Sequence, residues 1–325
     1  MRRNKNRLVR QLFTLVVSAV IFSIAVMMIY AAATVFRPQI PFFQLVDQGS
    51  PAAVETVGPK PAPYPGVIDL QVPVTTKLYV ILGSDFRPQA GYRTDVIMLA
   101  MVDTLTGKIS LVSFPRDLWV TIPGYYEQRI NTVMQIGGIQ LLANTLQTNF
   151  GIYPVDYAMI DMAGFLKVID VLGGIKFDTD YATADACDGS LEADRWCEVG
   201  PGPVKLDSDW ALWYVRARYN SSDFDRMRRT QEVVVAVMKK VFSPVGLFKL
   251  PALMNVYDNS VQSNITPDNL FYVTRLALGF NSDKVHHYTI GPNEVTSWVT
   301  ADGAAVLLPN TAAIQAILQT ALNFE

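Results

Sequence analysis

The chain has 325 residues, 50% of them hydrophobic and 17% charged, with a formal net charge of −2. A chain of this length holds one large domain or two small ones, with ample material for a packed core. The near-balanced charge excludes a global basic surface for DNA or RNA, and no nucleic-acid signature motif is present, so nucleic acid is not an expected partner.

Arg2, Arg3, Lys5, Arg7 and Arg10 precede an uncharged, mostly apolar run from Leu12 to Phe36. A membrane-spanning helix needs about 20 such residues, and a positive flank stays on the cytoplasmic side. Residues 1–11 therefore read as a cytoplasmic basic tail and 12–36 as a transmembrane helix, with the rest of the chain outside the cell membrane. Ala31, Ala32 and Ala33 resemble a signal-peptide cleavage site, but the apolar run exceeds the roughly 7–15 residues of a signal core. Prolines recur from Pro38 to Pro73, so residues 37–75 read as a partly extended extracytoplasmic linker.

The folded part opens with three strand-like runs, Leu78–Leu82, Val96–Val102 and Ile109–Phe114. The last two flank the hairpin turn Asp103–Gly107. Helical patterns follow at Gly138–Asn149 and at Gly164–Leu172, the second closed by Gly173 and Gly174 as a C-cap. Strands are expected at Val155–Ile160, Ile175–Phe177 and Val285–Ile290, and helices at Asp223–Phe242 and Thr311–Leu322. Strands interleaved with helices point to a single α/β sandwich with a mixed central sheet, preceded by the transmembrane helix. Residues 76–245 form its core, and 246–325 are either the C-terminal part of that domain or a small extension. Cys187 and Cys197 bracket a polar stretch without further zinc ligands. Outside the membrane, such a pair reads as a disulfide.

If the first run pairs antiparallel with the second, the end of the first strand lies beside the start of the second. The hairpin then returns the end of the third to the same edge. Those termini carry Asp85 and Arg87, Arg93 and Asp95, and Arg116 and Asp117. Ligands bind at such strand ends in α/β folds. Asp85 and Asp95 are either a carboxylate pair suited to Mg²⁺ or aspartates capping loop amides. Arg93 and Arg116 are either phosphate contacts or ion-pair partners of those acids. A second cluster, YVRARYNSSDFDRMRRTQ, holds Arg216, Arg218, Arg226, Arg228, Arg229 and Gln231. Arg216 and Arg218 share a face if extended, or else sit at the end of a short helix. Arg226 and Arg229 share a helix face. Flanking Trp213, Tyr214 and Tyr219 favour an anion site over a solvated basic surface. Arg129 in QRIN is a further phosphate contact or a surface arginine. His286 and His287 would point to opposite faces of a strand, which argues against a joint metal site.

These residues resemble the LytR-CpsA-Psr family of bacterial cell-envelope proteins. The matching blocks are Leu82–Asp85 (LGSD), Arg93–Asp103, Ile109–Val120 and Arg129–Asn131 (RIN). They continue through Val168–Phe177, Ala211–Tyr219 and Asp225–Gln231 (DRMRRTQ). The chain departs from the family pattern at Asp225, usually glycine, at Thr230, usually glutamine, and at Val120, an arginine in some members. Arg129 stands where lysine is frequent.

The resemblance implies a Mg²⁺-assisted phosphotransferase that moves a glycopolymer from a polyprenyl-pyrophosphate carrier onto peptidoglycan, with Mn²⁺ as a substitute metal. It implies that Asp85 and Asp95 hold the metal. Arg93, Arg116, Arg216, Arg218, Arg229 and Gln231 would surround the pyrophosphate, with Arg129 and Arg226 added from the residues themselves. A hydrolase using water at the same site, and a non-catalytic lipid-binding or regulatory protein, are the two rival readings.

Overall fold

The computed structural model of the chain describes residues 60–87, 91–219, 221–265 and 280–325. The basic tail, the expected membrane span 12–36 and the first part of the linker lie outside the described residues. Among those described, no helix is long and apolar enough to cross a membrane.

β1 (Thr76–Arg87), β2 (Gly91–Asp103) and β3 (Ile109–Phe114) form an antiparallel meander. β1 and β2 extend past the expected apolar runs at the ends that carry Asp85 and Asp95. In the turn between β2 and β3, the Asp103 carboxylate accepts the Leu105 N–H at 3.0 Å, and Gly107 takes φ 71°. A side chain that mimics a backbone turn favours aspartate at this place. β4 (Trp119–Thr121) and β5 (Glu127–Arg129) make a short hairpin. The helix Val133–Phe150 then leads to β6 (Asp156–Asp161), parallel to β1. β7 (Ile175–Thr179), β8 (Thr183–Ala186), β9 (Trp196–Val199) and β10 (Gly202–Leu206) form two small ladders, β7 with β10 and β8 with β9. β11 (Val261–Ser263) pairs with β6 and β12 (Val285–Thr289) with β3, while β13 (Val295–Val299) and β14 (Ala305–Pro309) form a last hairpin. The main sheet runs β11-β6-β1-β2-β3-β12, mixed because β6–β1 and β3–β12 are parallel.

The meander alternates with period two, as its pleat requires. Val80, Leu82, Ile97, Leu99, Met101, Val112 and Phe114 point to one face. There they meet Leu142, Leu146 and Phe150 of the 133–150 helix and Ile314, Leu318 and Leu322 of the helix Thr311–Asn323. Met98, Ala100, Val102, Ile109 and Leu111 point to the other face, against Val234, Val235 and Met238 of the helix Asp223–Val241. The sheet is therefore buried on both faces, and each fully buried side chain of this kind contributes about 1.5–3 kcal/mol. A third cluster, with Ile169, Trp213, Tyr214, Val233 and Cys197, lies on the far side of the 223–241 helix. β12 and the 311–323 helix join the same sheet and core as the N-terminal strands.

Helix boundaries follow their caps. The helix expected from Gly164 begins at Met162, because the Asp161 carboxylate accepts the Gly164 N–H at 2.7 Å. It ends, as expected, on Gly173 in the left-handed region. The helix expected from Gly138 begins at Val133 and is broken at Gly137 and Gly138, whose backbones leave helical values. Cys187 and Cys197 form the expected disulfide.

Candidate functional site

The edge where β1 ends, β2 begins and β3 leaves the sheet is assembled by backbone register. Asp85 stands opposite Arg93, and Ser84 opposite Thr94, but Gly83 stands opposite Val96. Asp95 is thereby the extra residue of a bulge, a device that re-aims a side chain. Gly83 suits the place because a Cβ there would lie 3.0 Å from the Val96 Cβ. Phe114 at the end of β3 pairs with Ile97, so Arg116 emerges next to Asp95.

Arg116 Nη1 donates to Asp95 Oδ1 at 2.9 Å, and its Nε lies 3.4 Å from Asp117 Oδ2 and 3.8 Å from Asp223 Oδ1. Burial alone would lower the Arg116 pKa, but the bond to Asp95 and the fields of Asp95, Asp117 and Asp223 together raise it. Asp117 also takes Arg129, whose Nε lies 3.2 Å from Asp117 Oδ1 and whose Nη2 donates to the Ala305 carbonyl at 2.6 Å. Asp223 is shared more widely. Arg226 Nη2 reaches its two oxygens at 2.8 and 3.1 Å and the Asp95 carbonyl at 3.3 Å, while Arg218 Nη2 lies 3.9 Å from Oδ1. Arg226 is only 7% exposed, and burial pushes its pKa down. A narrow cleft lies here between Asp95 and Val96 on the sheet and Arg226, Met227 and Thr230 on the helix. Ser113, Phe114 and Ile97 also line it.

The structure thus brings Asp95, Arg116, Arg129, Arg218 and Arg226 into one network, with Asp85 (8% exposed) and the exposed Arg93 at the same sheet edge. Arg216, the exposed last residue of the helix Ser208–Arg216, ends a short helix rather than a strand. Two of the anticipated residues face elsewhere. Arg229 is 1% exposed, donates to the Ala217 carbonyl and to Ser221 Oγ, and lies over the Tyr214 ring. Its burial, and then neighbouring Arg228, lower its pKa. Gln231 turns toward the sheet, where its amide donates to Ser113 Oγ at 2.7 Å and the Tyr288 carbonyl at 2.8 Å and its oxygen meets His287 Nδ1 at 3.0 Å.

The departures noted in the sequence have local causes. Asp225 accepts the Ser222 N–H at 2.8 Å while Ser222 Oγ accepts the Asp225 N–H, a reciprocal capping box that starts the 223–241 helix. Thr230 bonds back to the Arg226 carbonyl, and Val120 is buried in the core.

Sequence reasoning passed over Asp223, which reads as an ordinary first-turn helix acid. Its only sequence signal is its place three residues before Arg226, at salt-bridge spacing. Asn131 was also missed as an individual residue. It lies buried behind Arg116, with its N–H on the Arg116 carbonyl at 3.3 Å and its carbonyl accepting Thr94 Oγ1. Its side-chain oxygen has no hydrogen-bond partner among the described residues.

Fold and site together define a mixed-sheet α/β protein with an arginine–aspartate cleft at one sheet edge. The chain belongs to the LytR_cpsA_psr family, whose sequence model matches residues 71–323. It is 32% identical over 208 residues to "Regulatory protein MsrR" of Staphylococcus aureus (strain COL), covering 63% of this chain and 61% of that protein. To "Polyisoprenyl-teichoic acid--peptidoglycan teichoic acid transferase TagU" of Bacillus subtilis (strain 168) it is 31% identical over 196 residues, 59% of this chain and 61% of that protein. The match therefore spans less than two thirds of these curated relatives. The solved structure of TagT bound to LIIa-WTA superposes with a TM-score of 0.62 at 20% identity, covering 77% of this chain and 91% of that one. That likeness establishes the fold.

Proposed function

We propose that this protein transfers a glycopolymer from a polyprenyl-pyrophosphate carrier to peptidoglycan, on the outer side of a membrane that its segment 12–36 spans. The observation that carries the reading is Arg116, held by Asp95, Asp117 and Asp223, with Arg226 and Arg218 drawn to the same Asp223 beside a cleft that Asp95 and Arg226 line. Guanidinium groups match phosphate oxygens in planar geometry. A network that fixes them in advance suits a reaction governed by positioning and charge neutralisation. The similarity to TagU, named as a teichoic acid transferase, supports the same reading.

In the proposed step an acceptor hydroxyl attacks the sugar-bearing phosphorus and loses its proton to solvent water. The bond from that phosphorus to the bridging oxygen breaks, and polyprenyl phosphate departs with the bridging oxygen and its electron pair. Arg116, Arg226 and Arg218 would neutralise the pyrophosphate, and Arg93 at the exposed rim would meet its outer oxygens. Asp85 and Asp95 would hold Mg²⁺, with Mn²⁺ as substitute, because carboxylate oxygens suit a hard cation. Among the described residues no three His, Cys, Asp or Glu side chains gather into a metal cage. Two carboxylates fit an ion that completes its shell with phosphate oxygens and water. When bound, the ion supplies additional charge neutralisation at the pyrophosphate.

The test uses the full chain in detergent with a polyprenyl-pyrophosphate glycan and peptidoglycan fragments, products being followed by mass spectrometry with and without Mg²⁺. Metal-dependent attachment that falls about 10²–10³-fold in Asp95→Ala and Arg116→Ala supports the reading. Release of glycan phosphate without attachment identifies a hydrolase. Tight lipid binding without turnover identifies a binding or regulatory protein, the class in which MsrR is named.

A further inference from the structure

The loop that carries Arg218 into the site is gripped from outside the site. β8 and β9 form a hairpin in which Asp185 stands opposite Cys197, itself bonded to Cys187. The disulfide joins residues ten apart in sequence and closes the hairpin tip covalently. Asp185 Oδ2 accepts the backbone N–H of Arg218 and, at 3.1 Å, that of Tyr219. Its Oδ1 accepts the Ala186 N–H at 2.7 Å. On either side of this contact the Trp196 ring meets the Tyr219 ring edge-on at 4.8 Å, and Trp213 Nε1 donates to the Ala186 carbonyl at 3.1 Å. Arg229 in turn donates to the Ala217 carbonyl, one residue before Arg218.

Arg218 itself is exposed and lies 3.9 Å from Asp223. An exposed arginine on a short loop would sample many positions, and a long flexible side chain gives up entropy when it binds. Fixing its backbone reduces what remains to be ordered. Charge-assisted bonds from backbone N–H to carboxylate are about twice as strong as neutral ones, and two converge here on one oxygen.

We propose that Asp185 is a positioning residue that acts through Arg218: the disulfide-closed hairpin presents its carboxylate to the Arg218 and Tyr219 amides and so holds the Arg218 guanidinium beside Asp223 in the arginine network. The consequence for turnover rests on the transferase reading above; the clamp itself does not.

Two measurements on the full chain in detergent separate them. Amide hydrogen exchange reads the clamp directly. Asp185→Ala is expected to speed exchange at Arg218 and Tyr219 about tenfold while amides in the 223–241 helix keep their protection. Asp185→Asn, which keeps a neutral carbonyl acceptor in place, restores about half of the difference. Kinetics read the consequence. Asp185→Ala raises KM for the lipid-pyrophosphate donor with kcat little changed, and the same substitution made in Arg218→Ala causes no further loss. Unchanged exchange at the two amides, or losses that add in the double variant, overturns the proposal. If the wild type turns over no donor, the transferase reading falls, and the exchange of Arg218 and Tyr219 alone decides whether the clamp exists.

Discussion

Asp223 is the shared counter-charge of the site, and Asp223→Asn should move stability and anion affinity in opposite directions. The side chain is 26% exposed and its partner Arg226 9% exposed, with contacts of 2.8 and 3.1 Å between them. Breaking a fully buried pair costs about 3–5 kcal/mol. Here the aspartate is partly solvated and Arg226 keeps the Asp95 carbonyl as an acceptor, so the expected loss is about 2 kcal/mol. In a domain of this size that lowers Tm by about 4–8 °C. The same substitution removes a negative charge from beside Arg116, Arg218 and Arg226. A bound anion several ångströms away would feel about 1 kcal/mol less repulsion after salt screening, which is about fivefold in affinity. Melting curves followed by circular dichroism, and calorimetric titration with inorganic pyrophosphate in EDTA, measure the two effects. A variant that melts with the wild type, or binds pyrophosphate more weakly than it does, refutes Asp223 as the shared counter-charge.

Gln231→Ala should cost about 2 kcal/mol in urea unfolding, because it strands Ser113 Oγ and the Tyr288 carbonyl beneath the helix. Pyrophosphate affinity should stay unchanged; a tenfold fall at normal stability would place Gln231 on the ligand instead. Gly151→Ala should destabilise by about 2–4 kcal/mol, since Gly151 has φ +73° and its added Cβ would collide with the Ile68 carbonyl. A melting temperature equal to wild type would contradict that packing. Asp185 also predicts a pH dependence. Burial would raise its pKa, but bonds from the Arg218, Tyr219 and Ala186 amides, with Arg229 nearby, hold it below the ordinary 3.8. Its stabilising contribution is therefore complete above about pH 4 and is lost as pH falls through the lowered value. Urea midpoints of wild type and Asp185→Asn should differ at pH 7 and converge in acid; a constant gap would show that Asp185 gains nothing from its charge.

Much of the fold was legible because local rules and global packing agree along this chain. The alternating faces of β2 and β3, the aspartate-to-glycine turn between them and the glycine cap at Gly173 are short-range signals, and each is met in the structure. The meander itself followed from one turn and one assumed pairing, which sufficed to place Asp85, Arg93, Asp95 and Arg116 at one edge. The expected membrane span, likewise read from a local signal, lies outside the described residues. Strand ends were less legible. β1 runs on through Gly83–Arg87, a polar stretch that reads as loop, because pairing with β2 supplies the backbone partners that an apolar pattern would otherwise announce.

The sequence by itself determined which residue types were available and which would lie at the strand ends, since periodicity and turn chemistry act over a few residues. Only the tertiary structure decided how the second arginine cluster divides. Arg226 enters the cleft while Arg229 supports the loop and Gln231 faces the sheet, because successive helix positions point about 100° apart and long-range packing sets the helix's rotation. It also decided that Asp223 gathers three arginines and that Asp185, thirty-three residues before Arg218, holds its backbone. Such contacts join segments distant in sequence, and no local pattern records which distant carboxylate a cation will meet.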